Sequence, residues 1–353
     1  MEKSFPAADG VDAVERWLSQ STRSLSDAEV VSLKAGGNIC VGGDWRIVRV
    51  RLGNATTFSA SSIRSSTFGG KFVVVGSLGG NECCHHVEGV DLPSGIYSST
   101  VADCIIGDHA RVDNTTLIAR CFVGRGALIS GCGIVCMKGR RGHKCAFSNG
   151  RTISIAHCRE LSVYAEMTFE EAAGIVGNPS DKAGLAHWVS KVRHYTKAAS
   201  HTHTVVCAGS QLICCPRVEN AFIGRGARID GSTIVDATIL SCDADELRRT
   251  VVEGGCLVEH SIIQHGCRCS SMAIVSSAFM CTKSAVERHA KLIDSVLGPC
   301  SSAAEGEIST SLVGWVPTRV QRSILMPSLF ICSPVLVGTV GQRCRMDGWM
   351  DGW

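Results

Sequence analysis

The chain has 353 residues, of which 45% are apolar and 19% charged, the balance of a soluble globular protein with a large core. Aromatic residues are scarce at 5% and Gly is plentiful at 38, which favours a β-branched core with tight turns over a helical bundle. The net charge is +3 without a run of five or more Lys or Arg, so no nucleic-acid partner is expected, and GRRGHK (139–144) reads as a solvated turn.

The N-terminus, MEKSFPAADG, has no apolar signal core, and no apolar run is long enough to span a bilayer. A cytoplasmic protein without a membrane partner is expected. Its 20 Cys are then read as reduced, several serving as small buried hydrophobes.

In chain order, residues 1–43 read as an N-terminal helical cap. GVDAVERWL sets Val11, Val14, Trp17 and Leu18 on one face, and helix is expected over 8–35. A capping box from Ser26 to Glu29 opens its last part and Gly36 closes it. Residues 44–164 read as a first block of coils, irregular over 44–77 and joined through a loop at 81–100.

The coils proper begin at Val101. Val101, Ile106, Val112, Ile118, Val123, Ile129 and Val135 follow one another at steps of 5, 6, 6, 5, 6 and 6. The steps return at Val218, Ile223, Ile229 and Val235, and again from Val252 through Val258, Ile263, Cys269, Val275, Met280, Val286 and Leu292 to Leu297. A long period built of short apolar steps predicts a solenoid in which three short strands per turn each send one side chain to a common axis. Gly107, Gly124 and Gly224 follow inward residues, giving [I/V]-G-x-x-A, the hexapeptide of a left-handed parallel β-helix with 17-residue rungs.

The pattern fades after Met137. Residues 165–200 read as an inserted helical arm. A second capping box starts at Thr168, a break falls at Asn178 to Asp181, and Leu185, Trp188, Val189, Val192 and Tyr195 form an apolar face. A second block of coils is expected over 201–300, pausing at DADELRRT (243–250), and 301–353 reads as an aberrant or disordered tail. The expected fold class is therefore mainly β, a left-handed parallel β-helix with N-terminal helices and an inserted arm.

LSDAEVVSLKAGGNICVGGDWRIVRV (25–50), LPSGIYSSTVADCIIGDHARV (92–112), the arm and the later coils, in that order, resemble an uncharacterised family of the trimeric LpxA-like superfamily. The resemblance covers about residues 25 to 314. It implies a homotrimer distantly related to sugar and sugar-nucleotide acyltransferases. It does not fix a reaction or a cofactor; an acyl-CoA is one donor it allows, and no metal is expected. The family's Glu-x-Gly-Gly-Arg-like segment corresponds to AHCRELSVY (156–164), which lacks the Gly pair but keeps Arg159 and Glu160 as candidate substrate-binding residues. After Gly314 the chain departs from the family and ends in a duplicated MDGW, as a shifted reading frame would produce.

Acyl transfer on such a scaffold needs a His as general base toward a sugar hydroxyl or amine, between subunits. The catalytic candidates are His109 in IGDHA, with Asp108 or Asp113 to orient it, and His143 in RRGHK, beside basic residues that could meet a phosphate. For each, a solvated coil residue is the plain alternative; His265 and His289 rank lower. A zinc site of the γ-class carbonic anhydrase kind needs three converging His, whereas His260, His265 and His289 fall at different phases of the repeat. The HTH at 201–203 offers two imidazoles at most. Adjacent residues of ECCHH (82–86) point to opposite sides of an extended chain, so that pentamer reads as a loop. Cys83–Cys84 and Cys214–Cys215 lack metal-ligand spacing, and no phosphate cradle or Rossmann fingerprint precedes the coils. The expected function is a transferase-like one, acyl transfer to a sugar, nucleotide-sugar or similar small polar metabolite at a subunit interface. The alternative is a non-catalytic oligomeric binding or scaffold protein.

Overall fold

Three rows of aliphatic side chains organise the molecule. A computed structural model describes residues 21–52, 58–79, 84–87, 89–155 and 159–314, and beyond these the short strands at 320–321, 324–325 and 329–330. In one row Val112, Ile129, Leu212, Ile229, Val252, Cys269, Val286 and Ala303 sit opposite one another on successive parallel strands. A second runs through Ile106, Val123, Val206, Ile223, Ile239, Ile263, Met280, Leu297 and Val313. The third holds Ile118, Val135, Val218, Ile234, Val258, Val275, Leu292 and Ile308. All three rows belong to one buried core. The fold is mainly β, with long parallel sheets stacked in a β-helix-like manner and, among the described residues, three α-helices. Burying each Val, Leu, Ile or Met of these rows contributes about 1.5–3 kcal/mol.

Most of the inward residues expected from the spacing lie in these rows. One does not: Ile234 faces the core in place of Val235, because the step after Ile229 is one residue shorter. The glycines after the inward residues allow close stacking. A Cβ on Gly124 would lie 2.6 Å from the Ala208 nitrogen of the next turn, and one on Gly224 would lie 2.5 Å from that of Ser241.

The left-handed backbone falls two residues later, at His109, Gly126, Gly209 and Gly226. Two further columns of positive-φ residues mark other corners. One contains Asp103, Arg120, Asn220, Asp236, His260, Ser277, Asp294 and Thr310. Non-glycine residues pay roughly 1–2 kcal/mol for this conformation. Cross-turn hydrogen bonds help to hold it: the amides of His260, Ser277 and Asp294 donate to Val235 O, Glu259 O and Ser276 O at 2.9, 3.0 and 3.1 Å.

A large segment leaves the coils at this last corner and returns there. Strands Cys121–Val123 and Thr204–Val206 are direct neighbours one turn apart, and the coil strand Ile134–Cys136 keeps its place, so the chain between Cys136 and Thr204 is an insertion that leaves the register intact. It carries an antiparallel hairpin, Thr152–Ile155 with Arg159–Ser162, and two helices. With the N-terminal helix α1 (Asp27–Ala35), these are α2 (Phe169–Gly177) and α3 (Lys182–Ala199). Both capping boxes form, at Ser26 with Glu29 and at Thr168 with Glu171, and Asp181 caps α3. On α3, Trp188, Val192, Tyr195 and Ala199 are buried, while Val189 turns outward.

The insertion lies on the outer face of one wall. Ile105, Phe122, Val205, Phe222, Ile262, Phe279, Val296 and Leu312 each precede an inward residue, and they form a second apolar cluster with Met137, Phe147, Leu161 and Trp188. That wall is therefore apolar on both faces, as parallel sheets covered on each side are.

Several local expectations change. Thr22–Ser24 is a strand paired antiparallel with Val48–Arg51, not helix, because the extended N-cap at Ser26 starts α1 only at Asp27. Residues 8–20 lie outside the described residues. The 81–100 connection contains a hairpin, Cys84–Val87 with Val90–Pro93. The coils continue past 300, because Ala303, Ile308 and Val313 still supply inward side chains. Strands Val320–Gln321, Ile324–Leu325 and Leu329–Phe330 pair in parallel beyond them. The remainder of the segment after 314, including the duplicated MDGW, lies outside the described residues. Among the described residues no helix is long and apolar enough to cross a membrane.

Candidate functional site

The corner where the insertion rejoins the coils concentrates polar groups. Asn220 Nδ2 donates to Asp236 Oδ1 at 2.7 Å, and Asp236 Oδ2 lies 3.5 Å from His260 Nδ1. Ser277 and Asp294 occupy the next two positions of the same column. The inserted chain crosses here: Ser148 Oγ donates to Asp236 O, and Arg151 Nη2 donates to Ser277 Oγ at 3.3 Å.

Buried hydrogen bonds fix that crossing. Asn149 is 5% exposed; its Nδ2 donates to Ala146 O at 2.7 Å and Thr238 Oγ1 at 3.1 Å, and its Oδ1 accepts from the Ala165 amide at 2.8 Å. Thr238 Oγ1 donates in turn to Phe147 O. Phe147 and Ser148 both take positive φ, and Gly150 follows at +84°, where a Cβ would meet Thr196 Oγ1 at 2.6 Å. The fold thus delivers Arg151 to the corner by a rigid path.

The arrangement has a definite chemical capability. A carboxylate beside one imidazole nitrogen can hold the ring and leave the other nitrogen to accept a proton. The 3.5 Å separation is long for a hydrogen bond and short enough to close on a bound substrate. The His260 side chain is 35% exposed, so a substrate can reach it. Burial raises the Asp294 pKa, against the opposing pull of Arg151.

The residues singled out from the sequence are dispersed. His109 stands at a different corner; its carbonyl accepts from His85 Nε2 at 2.9 Å, and its own Nδ1 is buried without a hydrogen bond. Neither carboxylate expected to orient it does so. Asp108 is held by Arg51 and the Ser77 amide, and Asp113 pairs with Arg111 at 3.2 Å. His143 is exposed on the turn at 139–144, where the neighbouring Arg141 pairs with Asp103. Arg159 Nη1 donates to Val176 O at 2.7 Å, tying the hairpin to the last turn of α2, and Glu160 is exposed on the same strand. No hydrogen bond or ion pair joins any two of these four.

Of ECCHH, Glu82 and Cys83 lie outside the described residues. His85 is half-buried against His109, and His86 pairs with Asp91 at 3.0 Å. His201 and His203 are buried with ring centroids 5.3 Å apart. Among the described residues no three His, Cys, Asp or Glu side chains converge as a metal site.

Two adjoining clefts of 290 and 340 Å³ flank Lys191 on the arm, and both include His187. Three of their polar groups, those of Lys191, Glu171 and Tyr164, are engaged with one another in packing the arm. Lys191 pairs with Glu171 and lies over the rings of Tyr164 and Trp188, while Tyr164 Oη donates to Glu171 at 3.0 Å. Burial pushes the Tyr164 hydroxyl up to about 12.

The sequence reading weighed His260 only as a zinc ligand and missed Asp236, Ser277 and Arg151. The available signal was the corner column, in which His260 and Ser277 are one 17-residue step apart. The excursion at 243–250 hides the preceding step from Asp236 to His260.

Residues 22–333 match a family model described as a domain of unknown function (DUF4954). No curated protein matches the chain.

Proposed function

The chain belongs to this family, and from that premise we propose that it is a left-handed parallel β-helix of the trimeric LpxA-like superfamily acting as a transferase. Its reaction would move an acyl group onto a hydroxyl or amine of a sugar, nucleotide-sugar or similar polar metabolite. The architectural part is supported by three corner columns and by parallel partners such as Val258, Val275 and Leu292, spaced 17 residues apart. The homotrimer rests on the superfamily resemblance.

The observation that carries the chemical part is the Asp236–His260 pair on an accessible corner. In the proposed step Asp236 accepts from His260 Nδ1–H, and His260 Nε2 removes the proton of the acceptor hydroxyl. The freed oxygen attacks the thioester carbonyl of an acyl-CoA, the new C–O bond forms, and the C–S bond breaks. The proton held on Nε2 leaves with the departing thiolate. A positioned general base of this kind contributes about 10²- to 10⁴-fold.

The test is a thermal-shift screen with acyl-CoAs and nucleotide-sugars, followed by an assay of thiol release. Stabilisation by a donor, with thiol release lost in His260→Gln and strongly reduced in Asp236→Asn, is expected. Absence of stabilisation by every donor and acceptor would leave the non-catalytic oligomeric scaffold as the surviving reading. Light scattering giving a monomer mass at micromolar concentration would remove the homotrimer.

A further inference from the structure

Several arginines on the coils are matched to carboxylates. Arg51 meets Asp108, Arg111 meets Asp113, Arg217 meets Glu219, Arg228 meets Asp230 and Arg268 meets Glu253. Arg151 is not: no described carboxylate lies within 4.0 Å of it. The one hydrogen bond described for its side chain is the 3.3 Å contact with the neutral Ser277 hydroxyl, and its Nε is buried without a hydrogen-bond partner. Arg151 is half-buried and feels the Asp294 carboxylate only beyond contact distance, so its buried Nε gives up hydration and receives no contacting acceptor in return.

The position of Arg151 suggests what could supply that acceptor. Its Ser277 contact puts the guanidinium at the corner residue one turn beyond His260 and one turn before Asp294. The crossing that delivers it is held by the buried Asn149 and Thr238 bonds, which fix where the backbone brings Arg151 to the corner. A planar guanidinium fork is suited to two oxygens of one phosphate or carboxylate group.

We infer that Arg151 is the anion-binding residue of the corner site, holding a phosphate or carboxylate group of the acceptor substrate beside His260. The inference rests on the reading of that corner as the active site and adds a substrate class to it: the acceptor is anionic. It also makes the insertion a contributor to substrate recognition from within the same chain.

The experiment uses the full chain and two probes, inorganic phosphate and acetate, with potassium chloride at matched ionic strength as the reference. Midpoints of thermal unfolding are measured across each titration. The wild type is expected to rise saturably with at least one probe, and the one that acts identifies phosphate or carboxylate as the group bound. Arg151→Gln should weaken the apparent affinity at least about tenfold. Arg151→Lys should retain part of it, and Arg46→Gln, at an exposed position outside any candidate site, should behave as the wild type. Each variant is compared with its own ligand-free midpoint, so a change in basal stability does not obscure the result. An equal saturable rise in Arg151→Gln, or none with either probe in the wild type, overturns the inference. Arg151-dependent anion binding by a protein that transfers no acyl group would remove the transferase reading alone. Transfer without such binding would remove the anion site alone.

Discussion

Gln264 grips the backbone of the arm at Met167. Its side-chain Nε2 donates to Met167 O at 2.8 Å and to Ala165 O at 3.0 Å, and its Oε1 accepts from the Thr282 amide at 3.1 Å. The residue is 8% exposed, and its two bonds to the arm are shielded from water. Gln264→Ala would leave buried backbone groups unpaired at about 1–3 kcal/mol each. We expect a loss of roughly 2–4 kcal/mol in urea unfolding, together with faster amide exchange in α2 and α3. Unchanged exchange in the helices would mean that the arm is held by its apolar face alone.

That apolar face makes the second prediction. Phe279 is fully buried against the insertion and immediately precedes the inward Met280. Phe279→Ala removes a ring from a packed interface and should cost about 3–5 kcal/mol. Leu247, on the 243–250 excursion, is 72% exposed, and Leu247→Ala should change stability by less than about 0.5 kcal/mol. Chemical denaturation of the two variants checks the contrast. A similar small effect from both would mean that the insertion does not seal that wall in solution.

The inner rows were legible because their spacing is nearly regular: Ile106, Ile223 and Ile263 all take their places in the core. The outer row was written in the same stretches, as the apolar residue before each inward one in IIG, FVG and FIG. One inward aliphatic per strand already satisfies a coil, however, so nothing forced the outer row to be read as a docking face. The candidate site was less legible for a geometric reason. Arg151 and Ser277 meet across 126 residues of chain, and only the path of the insertion brings them together. Local context favoured His109, next to Asp108 and Gly107, whereas the folded chain commits Asp108 to Arg51.

Thiol reactivity supplies a third prediction. Cys214 and Cys300 are exposed, whereas Cys207, Cys267, Cys269 and Cys281 are buried. Burial pushes Cys207 up to about 12 and Cys267 up to about 11, which suppresses the thiolate required for attack on a reagent. Labelling at pH 8, followed by peptide mass spectrometry, should mark Cys214 and Cys300 first and the four buried thiols only on unfolding. Modification of Cys269 as fast as Cys300 would contradict its place in the core.

Acid sensitivity should centre on His203. Its ring is 9% exposed and lies 5.3 Å from that of His201, with Phe72 at 6.1 Å. Burial, reinforced by the neighbouring His201 and Arg120 charges, pulls its pKa from 6.5 down to about 4. The folded chain therefore keeps His203 neutral where the unfolded chain would protonate it. Stability from this group is fully present above pH 6.5, declines as the pH falls toward 4, and levels off below that. The difference amounts to something on the order of 3 kcal/mol over that interval. His265, also pulled down to about 4 by burial, acts in the same direction. Unfolding free energies measured in urea between pH 7.5 and 4 should fall along a slope that is shallower in His203→Gln and shallower again when His265→Gln is added. A His203→Gln variant with the wild-type slope would mean that this imidazole takes up its proton in the folded protein as readily as in the unfolded one.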